Sequence, residues 1–389
     1  MKKLLLILLC LPLLFSTCKK EDEEPTNTGD NWKGNNVTFG GEGSDVSGSS
    51  VQQTIDGGYI IIGVTNSFGA GGRDAYLIKT DGNGTEQWTK TFGGVNNDWG
   101  SSIQKTTDGG YIICGGGNGI SNTNGDMYLI KIDGNGEEQW EKWFFSGNMT
   151  GYGRSVKQTT DGGYIIVGSH WDAIDEDVYA KLWKTDENGF PEWSQLYITG
   201  NGGNHHGYDV LQRTDGGYII VGTRWTGTQS SGIRIIVDEN GIQQSFQSGL
   251  GSTPNCIEPT ADGGYIITGV SYFTATYGMM LQKRDVNGQN LWYKSFPESV
   301  GYEGYSVQQT TDGGYIITGR GEGIRLVKTD GNGEVLWSKR LGGTNVHGEG
   351  RSVQQTTDGG YIITGYISDG SFKTSGVLIK TDENGTQQW

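Results

Sequence analysis

Apolar and polar positions follow a pattern along this chain that recurs seven times. A short run that is apolar at successive residues, such as Tyr59–Ile62, follows the tripeptide Asp-Gly-Gly each time. That phrase begins at Asp56, Asp108, Asp161, Asp215, Asp262, Asp312 and Asp358, at intervals of 46 to 54 residues. Unbroken apolar runs bounded by turn residues predict strands covered on both faces. Ahead of each run lies a segment like SVQQT (Ser352–Thr356), and beyond it one like YLIKTD (Tyr76–Asp81). An Asp-x-Asn-Gly turn comes next, then a strand with Trp four residues after the glycine: Trp88, Trp140, Trp193, Trp292, Trp337 and Trp389, with Ser245 in repeat four. Each repeat therefore predicts four strands, A to D. In the tight A–B and C–D turns, glycines are expected at φ > 0, with Asp and Asn side chains closing the second.

Periods near fifty residues suggest propeller blades. The last repeat stops at Trp389, where its strand D should run on. The segment Trp32–Gly41 (WKGNNVTFGG) matches WTKTFGG from Trp88 and WSKRLGG from Trp337. The expectation is an all-β, seven-bladed β-propeller of four-stranded antiparallel blades over residues 32–389. The N-terminal strand completes the last blade, which removes the free sheet edges of an open array. Strands A are expected innermost, around a channel.

The remaining residues have a different character. Residues 1–17 combine a basic start with an apolar run too short to span a bilayer, the layout of a secretory signal. With Cys18 at the junction, the segment resembles a bacterial lipoprotein signal, although Thr17 stands where that family usually has Gly or Ala. Residues 18–31, with KKEDEE from Lys19, resemble the surface-export tag of certain Gram-negative lipoproteins. The resemblance implies lipidation at Cys18, a solvated acidic tether, and an outer-membrane, cell-surface location with membrane contact through the anchor only. The formal charge is −15, without a Lys/Arg cluster, which argues against nucleic acid as a partner. Cys114 and Cys256 fill slots that other repeats give to Val, Thr or Ser, and read as small packing residues.

The KTDGNGEVLW hairpin resembles the blades of quinoprotein-like propellers, in which a Gly before a Trp docks one blade on the next. The whole region also resembles bacterial surface repeat proteins with DGGYIITG phrases, some of them labelled endoglucanase-like. Both resemblances cover scaffold residues. They imply the fold and no cofactor.

Function should lie where the repetition breaks. The A–B and C–D turns at one end of the blades are nearly uniform, whereas the B–C and D–A loops at the other end vary. Three residues beyond the strand-B glycine, blades three to five place Trp171, Trp225 and Tyr272, where the others have Asn66, Asn118, Glu322 and Ser368. An aromatic arc with His170, Arg224, His205 and His206 nearby would suit stacking against a sugar ring or a peptide. The opposing possibility is that these rings fold down and seal the blade ends. A metal site would need His170 or Asp172 to converge with His205 or His206, and none is assigned. Hydrolysis would need two carboxylates at a working separation, with Asp98, Asp172, Asp175, Glu176 and Asp177 as candidates. No catalytic residue, nucleophile elbow or phosphate loop is identified. The reading is a non-catalytic surface binder of a glycan or an envelope or surface protein. A carbohydrate-active enzyme and a structural assembly module are the alternatives.

Overall fold

The computed structural model describes residues 36–389 apart from 41–44, 118–125, 145–149, 173, 175, 198–202, 250–251, 273–276, 298–299, 344–346 and 369–372. The signal segment, Cys18, the tether and Trp32 lie outside the described residues. Seven four-stranded antiparallel sheets form, six of them in chain order from strand A to strand D. Blade 1 is Val46–Gln53, Tyr59–Thr65, Asp74–Thr80 and Glu86–Phe92. Blade 7 is His347–Gln355, Tyr361–Ser368 and Ser375–Thr381, completed by Val37–Phe39. The ring closes through both chain ends, but with an offset from the sequence match. Val37 pairs with Leu378 and Phe39 with Gly376, so Phe39 stands where blade 1 has Phe92. The tail of the chain supplies the start of the same outer strand, with Lys380 N–H donating to the Trp389 carbonyl at 2.9 Å. The counterpart of Trp88 is thus Trp389, not Trp32.

The repeated phrase is explained by three close approaches. In the A–B turn only the first glycine takes the left-handed region, as Gly57 does at φ 83°. The second is needed for space, because a Cβ on Gly58 would lie 2.1 Å from the Thr80 carbonyl oxygen. The Asp before them receives the Gly58 N–H at 3.1 Å and faces the buried Lys79 ammonium at 2.9 Å. Lys79 also donates to the Thr80 carbonyl and to Gln87, so its charge is compensated inside the blade. The Thr54 hydroxyl and Lys79 pull the Asp56 carboxyl down to about 2. Blade 4 has Ile236 in place of this lysine, and its Asp215 pairs instead with Arg213 at 2.8 Å.

Blades dock through the tryptophans. A Cβ on each of Gly84, Gly136, Gly189, Gly241, Gly333 and Gly385 would come within 2.3–2.8 Å of the indole of the preceding blade. Five of these indoles also meet the Tyr of the next Asp-Gly-Gly-Tyr phrase edge-on, at 5.9–6.0 Å. At the seam without Trp, between blades 4 and 5, Arg234 takes the place. Its guanidinium donates to the Tyr265 hydroxyl at 2.8 Å and to the Gly288 carbonyl at 3.1 Å.

Strands A line the channel, and their inner edges have no strand to pair with. The SVQQT glutamines compensate for this. The Gln53 N–H donates to Gln354 Oε1 of blade 7 at 3.1 Å, and the Thr357 N–H of blade 7 donates back to Gln53 Oε1 at 3.0 Å. The same reciprocal pattern recurs around the ring, for example at Gln158 with Gln104 and at Gln355 with Gln308. Side-chain amides thereby satisfy backbone groups that no ladder reaches.

Candidate functional site

Two neighbouring surfaces depart from the repeat, and both belong to the loop face. The outer one is the aromatic arc. Trp171 ends strand B of blade 3 opposite Thr150, and Trp225 ends strand B of blade 4 opposite Asn204. Tyr272 follows strand B of blade 5, its hydroxyl 3.3 Å from the Thr253 hydroxyl and its ring edge-on to Tyr277 at 5.3 Å. Trp171, Trp225 and Tyr272 are 38, 47 and 38% exposed, so part of each ring faces solvent. Two matched tryptophans and a tyrosine therefore stand along three consecutive blades of a rigid frame.

The histidines do not join them. His170 and His205 are each 1% exposed and point into the blades. Strand alternation is the cause: a residue adjacent to an outward-facing one points to the other face. Burial, and after it the Lys181 charge, depresses His170 to about 4. His205 is lowered by burial and then by Arg224. His206, half-buried on the other side of its strand, has Nδ1 3.1 Å from the Ser169 hydroxyl and stacks on Tyr208 at 6.3 Å. Burial and then Arg154 depress it to about 4. Arg224 is half-buried. Of the seven predicted ligand residues, the arc keeps three on the rim, and His170 and His205 serve the blade interior.

The carboxylate candidates also separate. Asp98 lies within strand A of blade 2, not in a loop, and is 1% exposed, as is Asp74 of blade 1. Burial raises both carboxyls, and Asp98 raises Asp74 further. The Asp172 and Asp177 backbones close their own loop at 3.0 Å, and Asp175 lies outside the described residues.

The inner surface was not anticipated. Every strand A carries a β-bulge at one place, after Gly48, Gly100, Gly153, Gly207, Pro254, Gly304 or Gly350. The residue set aside by the bulge is Ser49, Ser101, Arg154, Tyr208, Asn255, Tyr305 or Arg351, and all of these line a central cavity of about 920 Å³. Bulges re-aim side chains, and here the ring of bulges aims seven of them into the channel. The signal was available in the sequence: this position holds Ser, Arg, Tyr or Asn, while the one before it is Gly in six of the seven strands.

Below the bulges, blades 3 to 5 replace the usual Ser and Gln with charged or bulky groups. Asp209 occupies a serine slot and keeps its inter-blade bond, accepting the Ile257 N–H at 2.9 Å and the Ser155 hydroxyl at 2.6 Å. Lys157 and Glu258 replace glutamines and pair across blade 4 at 2.6 Å. Burial works against the charge on Lys157, but the facing Glu258 and Asp209 carboxylates prevail and hold its pKa above the usual lysine range. Oxygens of Asp209 and Glu258 and the Cys256 sulfur lie within 4.8 Å of one another. The Lys157 ammonium already supplies the positive charge this group faces, and burial keeps the Cys256 thiol protonated well above its ordinary range.

No protein-family profile and no curated protein matches the chain. Among solved structures it is similar to the WD40 β-propeller domain of Doa1, with a TM-score of 0.55 at 14% identity over 88% of this chain and 95% of that one. The Pan2 WD40 domain of Neurospora crassa gives 0.54 at 12% identity over 85% and 88%. Puromycin hydrolase, as its S511A mutant, gives 0.56 at 12% identity over 88% of this chain, which spans 53% of that enzyme. Together with the seven four-stranded sheets, these likenesses establish the β-propeller fold.

Proposed function

We propose that this propeller is a non-catalytic binding module that holds a glycan, or a surface protein, on its B–C and D–A loop face. In this reading Cys18 carries lipid and displays the ring at the outer-membrane surface. The observation that supports the binding role is the arc itself. Trp171, Trp225 and Tyr272 are large, exposed rings at equivalent places on three successive blades, with strand pairing up to the last residue before or at each. Exposed aromatic rings on a rigid support suit the flat faces of sugars, at a low cost in side-chain ordering. The catalytic alternative has less support, since Asp74 and Asp98, two carboxyls raised by burial, are each 1% exposed.

A glycan array followed by a reducing-sugar assay tests this. Binding without turnover is the expected result. Trp171→Ala combined with Trp225→Ala should abolish retention while leaving the melting temperature within the small range of surface substitutions. Turnover would move the assignment to a carbohydrate-active enzyme, and equal loss of binding and stability would make the rings structural caps. Cys18→Ser should release the protein from the membrane fraction if the anchor reading holds.

A further inference from the structure

Among the bulge residues, two are arginines, and their surroundings differ in one respect. Arg351 of blade 7 stands over the Tyr305 and Tyr366 rings at 4.9 and 5.8 Å, and Glu349 accepts from it at 2.6 Å. Arg154 of blade 3 stands over the Tyr152 and Tyr208 rings at 5.1 and 5.4 Å. No carboxylate among the described residues lies within ion-pair distance of it, and it is exposed to the channel. The same device is thus built twice, neutralised once and left open once, in a chain of net charge −15.

Two aromatic faces restrict the guanidinium to one plane without using its N–H donors. Its planar fork is then free to meet a planar carboxylate through two parallel hydrogen bonds. Trp99 and Tyr152, edge-on at 6.1 Å, continue the wall beside it. The cavity of about 920 Å³ is of the size small-ligand sites commonly have. Arg154 lies a few residues down strand A from Thr150, the partner of Trp171, so the open cation sits below one end of the aromatic arc.

We infer that Arg154, held between Tyr152 and Tyr208, is the anchor of an anion site in the channel mouth that takes the carboxylate of an acidic sugar. The choice of a sugar rests on the glycan reading above; the anion anchor stands on the Arg154 geometry alone. The uronate enters the channel, and neutral sugars of the same chain lie across Trp171 and Trp225. At physiological salt the Debye length is about 8 Å, so the rest of the negative surface does not repel such a ligand from a site this local.

The test is calorimetric titration of the full chain with trigalacturonate, its methyl-esterified form, and a short peptide with a free C-terminal carboxylate. Trigalacturonate should bind at least tenfold more tightly than the ester. Arg154→Gln should remove that difference and leave the ester unchanged, with the melting temperature as the folding control. Glu349→Gln, which frees Arg351, should strengthen trigalacturonate binding or add a second equivalent. Equal binding of acid and ester, or an acid preference that survives Arg154→Gln, overturns the anchor while leaving the rim reading intact. Binding of neither oligosaccharide, or Arg154-dependent binding of the peptide alone, overturns the acidic-sugar assignment. Loss of both oligosaccharides in the Trp171/Trp225 double variant, with the acid preference intact beforehand, confirms that rim and anchor act together.

Discussion

Replacing Trp140 with alanine removes an indole from the join of blades 2 and 3, and the geometry sets what that should cost. Trp140 is half-buried, meets Tyr164 edge-on at 5.9 Å, and covers Gly189 so closely that a methyl there would stand 2.7 Å from two indole carbons. A tryptophan buries roughly 150–250 Å² when covered, so half of that at about 25 cal/mol per Å² gives about 2–3 kcal/mol. The lost ring pair adds about 1 kcal/mol. Water fills the opened edge, so little cavity penalty applies. Gly189→Ala is costly for two separate reasons: its φ of 77° puts Cβ against its own backbone, and the new methyl meets the indole. The first costs about 1–2 kcal/mol whatever the neighbour does. The second disappears once the indole is gone. Urea unfolding of the parent, both single variants and the double variant should therefore show the double variant less destabilised than the sum of the singles, by more than about 1 kcal/mol. Additivity within about 0.5 kcal/mol would mean that the indole and the glycine do not touch, and the docking argument would fail for the whole ring.

The seam between blades 4 and 5 predicts a compensated pair. Arg234→Leu and Ser245→Trp should each lower the melting temperature, and together should restore it towards the parent; a double variant worse than both singles would refute the substitution of Arg234 for the missing indole. Acid should weaken the fold in two stages. His170 and His206, held at about 4, bind protons more readily when unfolded, so stability is complete above about pH 6.5 and falls as pH drops towards 4. Turn carboxylates such as Asp56 and Asp358, held at about 2, contribute above about pH 3.8 and lose that contribution as pH falls through 2. A melting temperature that stays level from pH 7 to 4.5 would contradict the first stage. Phe39→Asp places a charge at a position 3% exposed in the three-residue closing strand, and should produce aggregation or a larger hydrodynamic radius. A compact monomer with unchanged melting temperature would show that blade 7 does not depend on that strand.

The frame was legible in the sequence because each repeated residue answers a local demand that recurs in six or all seven blades. Gly58 must clear the Thr80 carbonyl, Asp56 must meet Lys79, and Gly84 must clear Trp389. Demands of that kind write themselves into spacing. The offset at closure was not legible for a related reason. Trp32 looks like a docking tryptophan because a Trp precedes a Phe-Gly-Gly ending as in WTKTFGG, but it stands seven residues before Phe39 where Trp88 stands four before Phe92, and Trp389 occupies the docking place beside Gly84. His170 misled because nearness in sequence to Trp171 says nothing about which face a residue takes, and alternation puts an immediate neighbour on the opposite one; His205 pairs with Arg224, the neighbour of Trp225, and so shares that residue's face.

The bulge ring has a different kind of obscurity. A period-two reading of strand A assigns each residue to the channel or to the sheet, and one extra residue per strand shifts that assignment at the point where Arg154 and Arg351 appear. The bulge is constant and its occupant is not, which separates the requirement of the frame from the use made of it. Departures then coincide at three depths in the same three consecutive blades of the seven. Blades 3 to 5 carry the exposed rim aromatics, blades 3 and 4 carry Arg154 and the Tyr208 that faces it, and deeper still the same three blades carry the Lys157–Glu258 pair and Asp209. The second arginine, Arg351 of blade 7 over Tyr305 of blade 6, lies outside these blades, but Glu349 neutralises it. The alignment of the departures along one wall, from the loop face into the channel, is what a single elongated ligand entering from that side would require.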